Sequence, residues 1–323
     1  MTMNSSKLLF MTTMVLGIIM SISSNNWITI WCGLEISLVS MIPLMINKSV
    51  NSSESMMKYF IVQSISSSML MLGLMTMIMK GDYNYGYILT TALIMKMGVV
   101  PFHNWVLTVI EGIEFIMILI MLTINKIAPI TLMSYFNNSF TVIVMLTVMT
   151  GAIMGVNQSS MKKIIGYSSI FNMGFIIMVM KNSLMWISYL TVYTVLISYL
   201  MFYMFMQKIS FINQMAFSEM TMNKISLWMN MLSMGGMPPL IGFSIKYMVM
   251  IQMIKTQMIS LVVIMIMASL LVMFFYLRMT FVSLMANSLI QKTKLMKMNE
   301  LSSWMMIINM MAMPMLMLTK SLT

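Results

Sequence analysis

The sequence predicts an all-α, polytopic membrane protein, and three observations predict it. Of 323 residues, 60% are hydrophobic and 8% charged, where an ordinary soluble domain is roughly 25% charged. Apolar blocks of helix-spanning length follow one another from end to end. The polar connections between them are too short to form soluble domains, so one transmembrane domain over 1–323 is expected.

Hydrophobic length and turn signals place about eleven transmembrane helices. The first, near 5–24, has Lys7 as its charged flank. It resembles a secretory leader, but everything after it spans as well, so a first helix fits equally. The second, near 25–46, carries Glu35 within WITIWCGLEISLVS. After the polar run NKSVNSSES comes the third, near 55–79, preceded by Glu54, which with Lys58 at helical spacing reads as a surface pair. KGDYNYG leads into the fourth, near 88–110, which holds Lys96, Pro101 and His103, the only histidine. EGIEF, with Glu111 and Glu114 as solvated helix-end residues, opens the fifth, near 113–135, which holds Lys126. FNNS precedes the sixth, near 140–158, where Gly151 and Gly155 have the spacing of close helix packing rather than of a phosphate loop. The seventh and eighth fall near 166–181 and 183–207. The ninth, near 223–255, contains Lys246, the tenth, near 258–284, has Arg278 close enough to its end to snorkel, and the eleventh lies near 303–319.

Two of these spans are expected to be interrupted. Pro101 follows Lys96 in the fourth, and GGMPP at 235–239 divides the ninth, where two glycines and two prolines cannot sustain a helix hydrogen-bond ladder. Broken helices at membrane depth are tolerated where they line a polar cavity, and they point to a transport site. For the single proline of the fourth span, a simple kink is the plainer expectation.

Composition adds two inferences. Fifty-five methionines with a single arginine suggest an A- and T-rich gene read with an extra methionine codon, as in an animal mitochondrion. The net charge of +11 is no nucleic-acid signal, because the lysines sit at helix ends, where they snorkel to the interface, and no basic stripe with interleaved aromatics occurs. Counted from a matrix-side amino terminus, Lys7, Lys48, Lys58, Lys162, Lys163, Lys208, Lys224, Lys292, Lys294 and Lys297 fall on one side. Lys80, Lys181, Lys255 and Lys320 fall on the other, and the richer side is the matrix or cytoplasm by the positive-inside rule. The single cysteine, Cys32, excludes an internal disulfide and any cysteine-ligated zinc or iron–sulfur site. No nucleotide loop, metal cluster or nucleophile–base motif is present.

Four ionisable residues remain at depth: Glu35, Lys96, Lys126 and Lys246. Each charge near a bilayer centre costs roughly 2.5–3.5 kcal/mol, so four unpaired ones would cost on the order of 10 kcal/mol. A marginally stable fold cannot carry that, and the groups are expected to pair, reach water, or both. Desolvation loosens a lysine's hold on its proton and a nearby carboxylate restores it, so movement or protonation of Glu35 would switch a partner lysine between holding and releasing. The alternative is a set of buried ion pairs that only fix helix packing. His103 lies two turns beyond Lys96, on the same face if the helix continues through Pro101, and an imidazole exchanges protons near neutral pH. A hydrogen-bonded imidazole at a kink near the membrane surface is the other reading.

In their order and spacing, WCGLEISL, ALIMKMGVVPFHNW, LTINKIAPI, MKKIIGYSSIFNMGF and GGMPPLIGFSIKYMV resemble the chain 2 family of mitochondrial NADH–ubiquinone oxidoreductase, respiratory complex I. The similarity runs over nearly the whole chain from about residue 25, and the composition suggests an insect or another arthropod. The resemblance implies an antiporter-like bundle, a proton-pumping subunit of the membrane arm in the mitochondrial inner membrane. Family members from animals lack the first helices of their bacterial relatives, which fits the short chain. It implies that a glutamate on one helix pairs with a lysine on a broken helix, that a second lysine sits mid-membrane, and that a third lies on another broken helix. The matching positions are Glu35, Lys96, Lys126 and Lys246. It also implies other complex I subunits, membrane lipids and protons as partners, no cofactor in this chain, and flavin, iron–sulfur clusters and quinone chemistry in partner subunits. Three departures stand out: Trp105-Val106-Leu107-Thr108 replaces a Trp-x-Pro-Glu run, Ile124-Asn125-Lys126 a Trp-Gln-Lys, and Ile245 a proline before the lysine.

In the reading so reached, Lys96 stores a proton whose affinity Glu35 tunes, Lys126 relays it along a hydrated midplane path, and Lys246 passes it towards the exit or the next subunit. Two other classes stay open. A free-standing cation/proton antiporter would bind Na⁺ or K⁺ through carboxylates, of which only Glu35 lies deep, and a purely structural subunit would pump unchanged with its lysines neutralised.

Overall fold

The computed structural model describes residues 5–47, 49–80, 86–136, 140–217, 221–289 and 300–311. Lys48, Lys292, Lys294, Lys297, Lys320 and the end of the eleventh expected span lie outside the described residues. The described backbone is helical apart from its connections, and it divides into two compact units, Met1–Ser139 and Phe140–Thr323.

The first unit contains α1 (Ser5–Ser23), α2 (Trp27–Met45), α3 (Val50–Lys80), α4 (Gly86–Met97), α5 (Asn104–Gly112), α6 (Phe115–Leu122) and α7 (Ile124–Met133). α1 and α2 cross at Gly17 and Gly33, where a Cβ on either glycine would lie within 2.8 Å of the other's carbonyl oxygen. Small residues let two backbones approach in this way, which matters where lipid supplies no hydrophobic drive for association. α3 begins five residues before the expected span, since its serine-rich start closes on itself. The Ser52, Ser53 and Ser55 hydroxyls each donate to the carbonyl three residues back, and Lys58 pairs with Glu54 at 2.6 Å on the exposed side, as the spacing suggested.

Both expected interruptions are present, and the fifth span adds a third. α6 and α7 form one apolar span, Phe115–Met133, divided at Thr123, whose φ of −115° and ψ of −76° depart from regular helix values. The amide and hydroxyl of Thr123 both donate to the Leu119 carbonyl, at 3.0 and 2.7 Å. Pro129, inside α7, has no N–H to return to the carbonyl four residues back, which loosens this turn further.

The second unit contains α8 (Thr141–Val156), α9 (Met161–Val179), α10 (Ser183–Gln207), a 3₁₀ turn (Ile212–Phe217), α11 (Thr221–Gly235), α12 (Ile241–Lys255), α13 (Ile259–Leu289) and α14 (Glu300–Met310). α9 is its centre, because nearly every side chain from Ile164 to Val179 is buried. Gly151 of α8 meets the Phe171 backbone of α9, where a Cβ would come within 2.8 Å, so the glycine spacing there does serve close packing. Arg278 of α13 donates to the Val156 and Gln158 carbonyls at 2.6 Å each, capping the end of α8 rather than reaching for an interface. Outward faces carry large apolar side chains such as Leu16, Val142 and Leu270, each more than half exposed, which suits lipid and not water.

Candidate functional site

Each of the two expected interruptions is built on one glycine. α4 stops at Met97 because Gly98 takes φ +71°, and the amides of Gly98 and Val99 turn back to the Met95 and Ile94 carbonyls at 3.2 Å. That left-handed conformation favours glycine, and a Cβ there would also collide with the Val106 side chain. The last carbonyls of a helix need outside partners. Here they find neutral ones: Trp105 Nε1 donates to Met95 O at 3.2 Å and Gln63 Nε2 to Lys96 O at 3.3 Å.

Lys96 stands in the last turn of α4, 8% exposed, with its side chain in a cavity of about 40 Å³. Lys126, in the first turn of α7 and 6% exposed, lines the same cavity, together with the polar groups of Tyr59, Gln63, Asn125 and Ser37. Such a volume holds roughly two or three waters. Neither ammonium has a carboxylate within 4.0 Å among the described residues. Glu35, half-buried on α2, has one oxygen buried without a hydrogen bond. Its charge is felt at both Lys96 and Tyr59, and no direct ion pair joins it to Lys96 among the described residues. Both ends of the Asn125 amide are buried and unpartnered beside them.

The second interruption repeats the grammar and reverses the lysine. α11 ends as Gly236 takes φ +93°, with the amides of Gly236 and Met237 returned to Ser233 and Leu232 at 3.0 and 3.1 Å. α12 then starts so close that a Cβ on Gly242 would overlap the Ser233 carbonyl. Lys246, 4% exposed, reaches back across the break and donates to the Met234 and Gly235 carbonyls, both at 2.9 Å. Its ammonium also lies 5.2 Å from the centre of the Phe171 ring. The negative end of a helix dipole and an aromatic face both favour a cation. A second cavity, of about 20 Å³, is lined by Lys246, Asn172, Tyr189, Tyr193 and Ser233.

The structure thus joins Lys96 and Lys126 in one cavity, holds Glu35 within electrostatic reach, and gives Lys246 a chamber of its own. His103 stands apart. The helix does not continue through Pro101; His103 is the residue before α5, partly exposed, with Nδ1 3.3 Å from the Pro101 carbonyl, and it lines neither cavity. Gln63, Trp105 and Asn125 were not anticipated as site residues. An amide inside an apolar span, as at Gln63 and Asn125, is the signal that would have marked two of them.

Comparison with known proteins fits this geometry. Residues 24–272 match the transmembrane family described as NADH:quinone oxidoreductase/Mrp antiporter. Proteins named NADH-ubiquinone oxidoreductase chain 2 are 34% identical over 296 residues in Anopheles gambiae, covering 86% of each chain, and 35% identical over 291 residues in Locusta migratoria, covering 86% of this chain and 85% of that one. Among solved structures, a chain of respiratory complex I from Thermus thermophilus superposes with a TM-score of 0.80 at 19% identity, over 88% of this chain and 71% of its own. A chain of the Mrp complex from Dietzia sp. does so with a TM-score of 0.73 at 16% identity, over 84% and 59%. At those identities the structural likeness speaks for the fold, while the sequence relatives speak for kinship. With its paired broken helices and the match over most of its length, the chain belongs to the NADH:quinone oxidoreductase/Mrp antiporter transmembrane family, among the relatives named NADH-ubiquinone oxidoreductase chain 2.

Proposed function

We propose that the chain is a proton-translocating subunit of the membrane arm of respiratory complex I in the mitochondrial inner membrane, and that Glu35, Lys96, Lys126 and Lys246 carry its protons. The observation that carries this reading is the shared cavity: two buried lysines face a water-sized space and no carboxylate among the described residues neutralises either directly. A cation buried so must be compensated by water or by a distant charge, and both kinds of compensation can be altered. Lys96 stores a proton while Glu35 is charged and close, and yields it across cavity water to Lys126 when Glu35 moves or is itself protonated. Lys246, on its half-helix, passes protons towards the exit or the next subunit. His103, partly exposed beyond the break, serves as an exchange point for protons between the path and its surroundings.

Electron transfer from NADH to ubiquinone takes place in other subunits, where flavin and iron–sulfur clusters reside; this chain carries no redox group and contributes the proton step. Its partners are those subunits and, along the apolar outer faces, lipid. The test is a gentle native gel of solubilised mitochondrial membranes, stained for NADH dehydrogenase activity and probed for this chain. Co-migration with the large active band is the expected result. A chain that runs alone and small would instead make it a free-standing cation/proton antiporter.

A further inference from the structure

Lys96 and Lys126 line one cavity of the first unit, and the neutral polar side chains around them are unequally engaged. The Ser37 hydroxyl donates to the Leu34 carbonyl at 2.8 Å, Gln63 Nε2 to the Lys96 carbonyl at 3.3 Å and Trp105 Nε1 to the Met95 carbonyl at 3.2 Å. Backbone holds each of these donors. Asn125, the second residue of α7, is different: it lines the cavity beside Lys126, yet neither its amide oxygen nor its amide nitrogen has a hydrogen bond. The residue is half-buried while both polar atoms are buried, so the amide is turned into the protein. A buried carboxamide without partners weakens a fold, and leucine, of similar size, would fill the place without that cost. What asparagine adds is a neutral donor and a neutral acceptor at the wall of a space that holds waters.

We propose that Asn125 is a positioning residue whose carboxamide anchors the water through which a proton passes from Lys96 to Lys126, a proposal that rests on reading those two lysines as proton carriers. A buried water needs two to four polar partners, and the cavity, at about 40 Å³, has room for roughly two or three waters. The amide oxygen accepts one hydrogen of the bridging water, which leaves the other hydrogen for Lys126 and a lone pair for Lys96. In the transfer a Lys96 Nζ–H bond breaks and its proton joins that water, which releases its own free hydrogen, as a proton, to the lone pair of the neutral Lys126 amine. Lys96 ends as the amine, Lys126 as the ammonium, and the water and Asn125 end unchanged. The amide nitrogen donates to a second water and so keeps the chain in place. A carboxamide suits this task because it both donates and accepts and takes no part in the titration. A carboxylate in its place would hold the proton or pin an ammonium.

The test uses the intact complex in proteoliposomes, with protons moved per NADH oxidised and the melting temperature of the purified complex as readouts. Four variants are compared: Asn125→Leu, Asn125→Gln, Lys126→Met and Thr131→Val. Thr131, also on α7, gives its hydroxyl to the Ala128 carbonyl and does not line the cavity, so it controls for loss of a polar group from this helix. The expected result is that Asn125→Leu lowers the ratio to that of Lys126→Met with no fall in melting temperature. Asn125→Gln, which returns a carboxamide to the same wall, should restore the ratio, and Thr131→Val should keep the native value. An infrared carboxamide band that changes on NADH addition should be lost in Asn125→Leu, which a side chain that only packs would not produce. If Lys126→Met lowers the ratio and Asn125→Leu pumps normally, the anchored water is wrong and the lysine reading stands. A ratio that Asn125→Gln fails to restore, or that falls together with the melting temperature, also overturns the anchor. A normal ratio in Lys126→Met overturns both.

Discussion

The two broken spans end their first halves alike and then place their lysines on opposite sides of the break. Lys96 precedes Gly98, and its own half-helix is finished by neutral donors, Gln63 and Trp105, which leaves the ammonium to a cavity and to the field of Glu35. Lys246 follows Gly236, and the ammonium itself finishes the half-helix before it. One lysine therefore faces a water-sized cavity and the field of a separate carboxylate, and the other is held by the backbone. Of the two, the first suits a site whose proton affinity another charge can tune, and the second a site whose charge also holds the fold together.

The largest expected difference comes from removing each ammonium. Lys246→Met keeps volume but leaves the Met234 and Gly235 carbonyls buried without a donor, at roughly 1–3 kcal/mol for each lost partner. The complex should lose thermal stability or assembly as well as proton translocation, measured by a melting curve of the purified complex beside the proton-to-NADH ratio. A stable, fully assembled Lys246→Met complex would mean that the backbone does not depend on this cation.

Lys96→Ala should do the opposite. No direct hydrogen bond of its ammonium to the described residues is lost, and the cost of an unpaired buried charge disappears, so the melting temperature should hold while pumping falls. If Glu35 acts through Lys96, Glu35→Gln should lower pumping alone and add nothing to Lys96→Ala, which a double-mutant cycle on the proton ratio reads directly. Full additivity would separate the two residues and break the couple.

Much of this contrast was legible beforehand, and part of it was not. GGMPP announces a break because two glycines and two prolines cannot sustain a helix ladder, Pro101 alone announces little more than a kink while the break falls at Gly98, and four charges in apolar spans announce themselves by their cost. On which side of its break a lysine finds its partner depends on how the second half-helix folds back. No spacing rule expresses that, since Gly98 and Gly236 end their half-helices identically. Division of the fifth span at Thr123 was hidden for a different reason, because threonine occurs freely in membrane helices with its hydroxyl on the carbonyl four residues back, as at Thr150 inside the unbroken α8.

The smallest effect sharpens the comparison by testing the neutral caps. Gln63→Leu removes the donor to Lys96 O and should cost roughly 1–3 kcal/mol, the price of one unsatisfied buried acceptor, with pumping reduced only as far as Lys96 shifts. Trp105→Phe should act similarly at Met95 O, and the two together should approach the instability of Lys246→Met, because each pair then leaves two half-helix carbonyls bare. Glu54→Gln provides the baseline: its pair with Lys58 is fully exposed to the surroundings, and exposed pairs contribute little, so neither melting nor pumping should change. A Gln63→Leu complex indistinguishable from Glu54→Gln would mean that the end of α4 needs no cap. The two breaks would then differ in how much their carbonyls need a donor at all, with only the end of α11 depending on one.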